Sequence, residues 1–353
     1  MRCLILAAGR FDEELRANIT RHREPRLDVF ELARELDATV IDFQHVERSR
    51  DPAVKLTART AGRSAAVALL GFRERANYDA FFTTGEDIGL PLALLMRGSR
   101  KRVSHTMIAH TLFPQKKQLF FKLGGVAREI DRTLVYSTSE ERLAIDVLGL
   151  RASSVERIFY HADQEFFRPD GRATEPSSIC AAGQLLRDYD CLVDAVRDLP
   201  VSVEIAAGSP WIDQPLRPKR ALPDNVKWGR KNRYELRELY ARSALAVVPI
   251  LQNHYQTGIA TILEMMSMGK CVIATRTHGQ TDTIVDGVTG VYVPPSDPLA
   301  LRAAIQRMLA NPDDAARMGA AARQFVEERA GLDGFVANIV ASIKTAHAAR
   351  FGA

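Results

Sequence analysis

Gln256-Thr257-Gly258-Ile259-Ala260-Thr261-Ile262-Leu263-Glu264-Met265-Met266-Ser267-Met268-Gly269-Lys270-Cys271-Val272-Ile273-Ala274-Thr275 reads as one helix-to-strand unit. A glycine-bearing turn opens a helix, and Cys271–Ala274 is a buried strand of the parallel kind. The first backbone N–H groups of such a helix have no partner inside it, so its start is a ready site for an anion. Glu264 falls about two turns into the helix, where its carboxylate can accept hydrogen bonds from sugar hydroxyls.

Working outward, the same alternation fills the chain. Apolar runs at Ser178–Ala182, Val201–Ala206, Val226–Trp228, Leu245–Val248 and Val291–Val293 join Cys271–Ala274 as strands, with helices at Cys191–Arg197 and Tyr234–Ala241 between them. The first half carries its own set at Leu4–Ala7, Thr39–Phe43, Ala80–Thr83, Val103–Ile108, Thr133–Tyr136 and Val155–Phe159. Each set predicts a doubly wound parallel sheet, so the fold class is α/β with two Rossmann-like units. The polar stretch from Pro169 to Pro176 predicts a linker. The expected domains are 1–168, 177–328 and a closing helix within 329–353, read at Leu332–Ala348.

Length and composition agree. At 353 residues, 46% hydrophobic and 26% charged, the chain has enough material for two cores. No apolar run approaches about 18 residues, and the short run near Met1 is no signal segment, so a cytoplasmic protein is expected. Cys3, Cys180, Cys191 and Cys271 lack paired spacing and read as reduced thiols. A net charge of +5, with Arg dispersed, excludes a dedicated nucleic-acid arm. Ser99-Arg100-Lys101-Arg102 followed by Phe113–Lys122, with its aromatics and lysines, predicts peripheral contact with anionic membrane; an ordinary surface helix is the alternative.

The opening stretch, with His278-Gly279-Gln280, Val285-Asp286-Gly287, Gly290 and Val293-Pro294-Pro295-Ser296-Asp297, resembles the donor-binding half of the family-four group of retaining glycosyltransferases (glycosyl transferases group 1). The ordered spacing spans roughly forty residues and is far more specific than a short motif. The likeness extends more faintly to Tyr160-His161-Ala162-Asp163, Phe167-Arg168-Pro169 and Gly183–Leu192. It implies the GT-B architecture, with two domains facing a central cleft and the closing helix returning to the N-terminal domain. It implies a retaining hexosyltransferase that moves a sugar from a nucleotide-sugar donor to a lipid, saccharide or small-molecule acceptor without metal or other cofactor.

In that family Glu264 would hold the donor ribose, Gln256 the hydroxyls of the transferred sugar, and the Gly258 and Ile259 amides the phosphates. Two departures stand out. Gln256 occupies the position of the family's first glutamate, and Gln184 that of an arginine, leaving Arg187, at the family's spacing from Leu192, as the basic group beside Gly183. His110, at a strand's C-terminal edge, would face the donor sugar, whereas His105 lies mid-strand and reads as a core histidine. The loops holding Gly208 with Trp211, and Trp228 with Gly229, would approach base and ribose, Trp211 by stacking or merely by packing. Gly9 and Arg10 lack the G-x-G-x-x-G fingerprint and are assigned with Glu86 and Asp87 to the acceptor side, although helix capping equally explains the two carboxylates. Asp188-Tyr189-Asp190 could suggest a metal-binding Asp-x-Asp, but Asp190 reads more simply as a helix N-cap. A GT-B epimerase and a nucleotide-sugar-binding protein without catalysis are the competing functions.

Overall fold

The six apolar runs of the first half all form strands in the computed structural model, which describes residues 1–208 and 214–352: β1 Cys3–Leu6, β2 Thr39–Ile41, β3 Ala80–Thr83, β4 Ser104–Ala109, β5 Arg132–Val135 and β6 Val155–Arg157. They make one wholly parallel sheet in the order β2-β1-β3-β4-β5-β6. β1, β3 and β4 are buried along their whole length, because helices cover both faces of a parallel sheet.

The second half repeats the plan with β7 Glu175–Ala182, β8 Ser202–Ala206, β9 Val226–Gly229, β10 Ser243–Val248, β11 Val272–Thr275 and β12 Gly290–Val293. Its order is β12-β11-β10-β7-β8-β9, again all parallel. Successive residues of β10 serve opposite cores. Leu245 and Val247 pack with Ile179, Val203 and Ile305, whereas Ala246 and Val248 pack with Tyr240, Ile262 and Met266. Each fully buried Val, Leu or Ile contributes about 1.5–3 kcal/mol, so a strand buried on both faces is fixed strongly in register.

The chain divides into two units. The first holds Met1–Asn18, Arg26–Ile158 and Phe335–Ala353; the second holds Ile19–Pro25 and Phe159–Gly334. The break therefore falls at Ile158 rather than in the Pro169–Pro176 stretch. The reason is aromatic: Phe166 and Phe167 pack edge-on at 4.9 Å inside the second unit's core, beside Tyr240. Arg323 secures that segment by donating to the carbonyls of Gln164 and Phe167 and to Ser267. The closing helix, Leu332–Phe351, contributes Phe335 onward to the first unit, where Arg350 pairs with Asp131 at 2.9 Å and Ser342 bonds Glu156.

Lys270 escaped the sequence reading. Its buried ammonium donates to the carbonyls of Ala241 and Ser243, which end the helix Arg233–Arg242, and so anchors the Gly269 turn.

Candidate functional site

In the second unit the chain runs from β7 outward to β9 and then returns to the other side of β7 as β10. Ligands of open α/β sheets bind at such a reversal, outside the strands' C-terminal ends. The loops leaving β7 and β10 meet there. Asp188 N–H donates to the Pro249 carbonyl at 3.0 Å, and Leu251 N–H to that of Leu186 at 2.9 Å. Gly183 and Arg187 ride on one loop, Gln256 and Gly258 on the other.

Arg187 is held by three acceptors: Nε by the Ala182 carbonyl at 3.0 Å, and the terminal nitrogens by the Leu185 carbonyl at 2.9 Å and Thr261 Oγ1 at 3.2 Å. Its guanidinium fills the space where Gly183 would carry a Cβ and lies 3.2 Å from the corresponding point at Gly258. Gly258, with φ of 84°, is the N-cap of the helix Ile259–Ser267 and supplies no side chain to its free N–H groups. A guanidinium at a helix's positive end is electrostatically unfavourable, and burial further lowers its pKa. An anion would relieve both.

Glu264 is only 7% exposed. Its Oε1 accepts from Arg233 at 2.6 Å and its Oε2 from the Tyr240 hydroxyl at 3.3 Å. Burial pushes its pKa up, opposed chiefly by Arg233, whose own pKa is raised by the Glu264 carboxylate. Glu24 also bears electrostatically on Arg233, and Arg23 stacks over Tyr234 at 4.4 Å. Sequence reasoning missed Arg233 and Glu24. The signal for Arg233 was Asn232-x-x-Glu235, a capping box that starts the helix at Arg233; nothing local marks Glu24.

Gln256 is buried, with Nε2 3.4 Å from Thr283 Oγ1. Trp228 is half-buried, edge-on to Tyr189 at 5.1 Å, and its indole N–H donates to the Leu216 carbonyl. Gly229 ends β9 and accepts from Ala207, while Gly208 lies against Arg230. Trp211 lies outside the described residues. The helix Tyr189–Val196 is capped by Asp188, which accepts from Cys191 N–H, rather than by Asp190. Asp190 instead pairs with Lys219 at 2.9 Å, because it already stands in the first helical turn.

The first-unit candidates gather at the C-terminal edge of β1, β3 and β4. Gly9 O accepts from Phe43 N–H, Arg10 pairs with Glu47, and Ala8 N–H donates to Thr84 Oγ1. His110 Nε2 meets the Thr84 carbonyl at 2.8 Å, and since a carbonyl only accepts, Nε2 is the donor of that bond. Glu86 is neither cap nor surface acid. At 2% exposure it accepts from the His110 and Thr111 amides and pairs with Lys117 at 2.5 Å, while the exposed Asp87 lies 3.2 Å from Lys117. His105 is buried, bonded to Thr83, and driven by burial to a pKa of about 3.

Glu140 completes this clasp by accepting from Leu112 N–H at 2.9 Å. Burial pushes its carboxyl up to about 7. The folded state thus holds a proton that the unfolded chain releases at lower pH, so the stabilisation is complete below the ordinary carboxylate range and is lost as pH rises through about 7. Glu140→Gln, which cannot ionise, is expected to gain stability relative to wild type between about pH 5 and pH 8, by on the order of 2 kcal/mol. A pH-independent difference in melting temperature would show that Glu140 is not the titrating group.

The helix Gln115–Gly124 turns its aromatics inward. Phe121 is buried and Phe113 and Phe120 pack on the core, leaving Lys116, Leu119 and Lys122 exposed. The expectation of exposed aromatics is therefore corrected: the core, as the larger apolar surface, takes them. Among the described residues no helix is long and apolar enough to cross a membrane, and the four cysteines are free.

Residues 177–311 match the family model described as glycosyl transferases group 1. D-inositol 3-phosphate glycosyltransferase of Thermobifida fusca (strain YX) is 24% identical over 261 residues, covering 66% of this chain and 59% of that protein. The chain thus spans less than two thirds of this relative's length. GDP-mannose-dependent alpha-(1-6)-phosphatidylinositol monomannoside mannosyltransferase of Mycolicibacterium smegmatis is 26% identical over 269 residues, 67% of this chain and 69% of that protein. Sucrose-phosphate synthase from Thermosynechococcus elongatus superposes with a TM-score of 0.73 at 17% identity, covering 99% of this chain and 100% of that one. Anabaena Alr3699/HepE in complex with UDP-glucose gives 0.69 at 16%, covering 97% and 99%. The architecture is GT-B, as the resemblance implied.

Proposed function

From a chain whose residues 177–311 form a glycosyl transferases group 1 domain, we propose an enzyme that transfers a hexose from a nucleoside-diphosphate sugar to a lipid, saccharide or small-molecule acceptor, with retention and without metal. The carrying observation is Arg187, a half-buried cation folded against the open positive end of Ile259–Ser267. A departing nucleoside diphosphate gains charge as the glycosidic bond breaks, and fixed N–H groups with a guanidinium answer that charge where it develops. Glu264 takes the ribose and Gln256 the donor-sugar hydroxyls, and the family resemblance gives His110 its role toward the sugar. Trp228, Gly208 and Gly229 lie toward the base, and Gly9, Arg10, Glu86 and Asp87 belong to the acceptor side, Glu86 by holding the His110 loop. The relatives support a nucleotide-sugar donor, one being named as GDP-mannose-dependent and one neighbour being complexed with UDP-glucose.

Thermal stabilisation by a panel including UDP-glucose and GDP-mannose finds the donor, since ligand at one hundred times its Kd adds about 2.7 kcal/mol to the native state. Nucleoside diphosphate released only with acceptor, unchanged by chelator, and a product of retained anomeric configuration by NMR meet the proposal. An epimerised donor would make the chain an epimerase; binding without release would make it a binding protein. A cytoplasmic location and weak attachment to anionic membrane, through Lys116, Lys122 and Leu119, complete the reading. Equal co-sedimentation with neutral and anionic vesicles would remove that attachment.

A further inference from the structure

Gln256 is 9% exposed, and among the described residues no group meets its Oε1. Its orientation follows from an anchor beyond the side chain. The Thr257 carbonyl can only accept, so the end of Gln280 that lies 3.4 Å from it is the NH2. Gln280 Oε1 then faces Thr283 Oγ1 at 3.0 Å, and Thr283 donates its single proton there. The Thr283 oxygen is left as an acceptor, so Gln256 brings its NH2 to it and turns its Oε1 away. Gln280 is 0% and Thr283 2% exposed, and a buried polar relay is costly unless every member is oriented consistently. The loop beneath is equally constrained: Gly279 N–H bonds the Asn253 carbonyl, and a Cβ at Gly279 would lie 2.1 Å from the Tyr255 carbonyl oxygen.

We propose that Gln280 and Thr283 are positioning residues that lock the Gln256 amide with its carbonyl oxygen as the free acceptor. The inference rests on the donor-site reading. Gln256 then recognises a sugar hydroxyl that donates, as a carboxylate would, but without placing negative charge beside the anomeric centre. Specificity follows: a donor whose contacted hydroxyl is replaced by fluorine, which cannot donate, loses this contact.

The test is a double-mutant cycle read by calorimetry with UDP-glucose or GDP-mannose, whichever binds, and with the matching free diphosphate. In the Gln256 background, Thr283→Val is expected to weaken nucleotide-sugar binding about tenfold, leave the diphosphate unchanged, and be rescued by Thr283→Ser. In the Gln256→Glu background the same valine should cost under about twofold, because the two oxygens of a carboxylate are equivalent and need no orienting. Equal losses in both backgrounds, a parallel loss of diphosphate affinity, or no loss at all would overturn the positioning role while leaving the donor site standing. Failure of both nucleotide sugars to bind wild type would overturn the donor-site reading and this inference with it.

Discussion

Arg187→Ala is expected to lower turnover about 100-fold, the scale on which a single preorganised donor aimed at developing charge contributes. The donor Michaelis constant should change much less, since the diphosphate becomes more negative only as the bond breaks. Part of any effect will be scaffolding, because the guanidinium also bridges Ala182, Leu185 and Thr261. Arg187→Lys separates the two contributions: it keeps the charge but cannot span that fork of acceptors. If turnover stays near wild type in the alanine variant and only the Michaelis constant rises, Arg187 is a uniform binding group and its assigned role is wrong.

The second large effect concerns Glu264, whose oxygens already bond Arg233 and Tyr240. A carboxylate has roughly four lone-pair sites, so those bonds leave capacity for a ribose hydroxyl. Glu264→Gln keeps the shape and is expected to weaken nucleoside-diphosphate binding about 10- to 100-fold, as loss of a hydrogen bond to a charged group does. Glu264→Ala should in addition destabilise the fold by about 3–5 kcal/mol, because it leaves the Arg233 guanidinium without its closest counter-charge. Calorimetry of diphosphate binding alongside melting temperature decides the matter. Lost stability with undiminished binding in the glutamine variant would make Glu264 a structural partner of Arg233.

The sequence by itself determined the fold class and the strands found among the described residues: central strands buried on both faces must be apolar throughout, and even the part-exposed edge strands keep enough apolar residues to stand out between amphipathic helices. Through the family resemblance it also singled out the Gly258 turn, Arg187 and Glu264, and the fold brings the Arg187 guanidinium to Gly258 and to Thr261 of the helix that carries Glu264. Tertiary structure alone decided what surrounds them. Arg233 and Glu24 reach Glu264 from segments far apart in the chain, and no periodicity reports a charge pair made across such a distance. Glu86 read as an acceptor-side carboxylate or a helix cap; only packing showed it buried against the His110 loop and the helix that carries Lys117. The aromatics of Phe113–Lys122 looked like a lipid-facing set until the core claimed them. The break at Ile158 was hidden because Phe166 and Phe167 belong to whichever core has room for them. The direction of the Gln256 amide is the last such case: it is set by the Thr257 carbonyl through Gln280 and Thr283, a relay closed only when the loops fold together and exclude water.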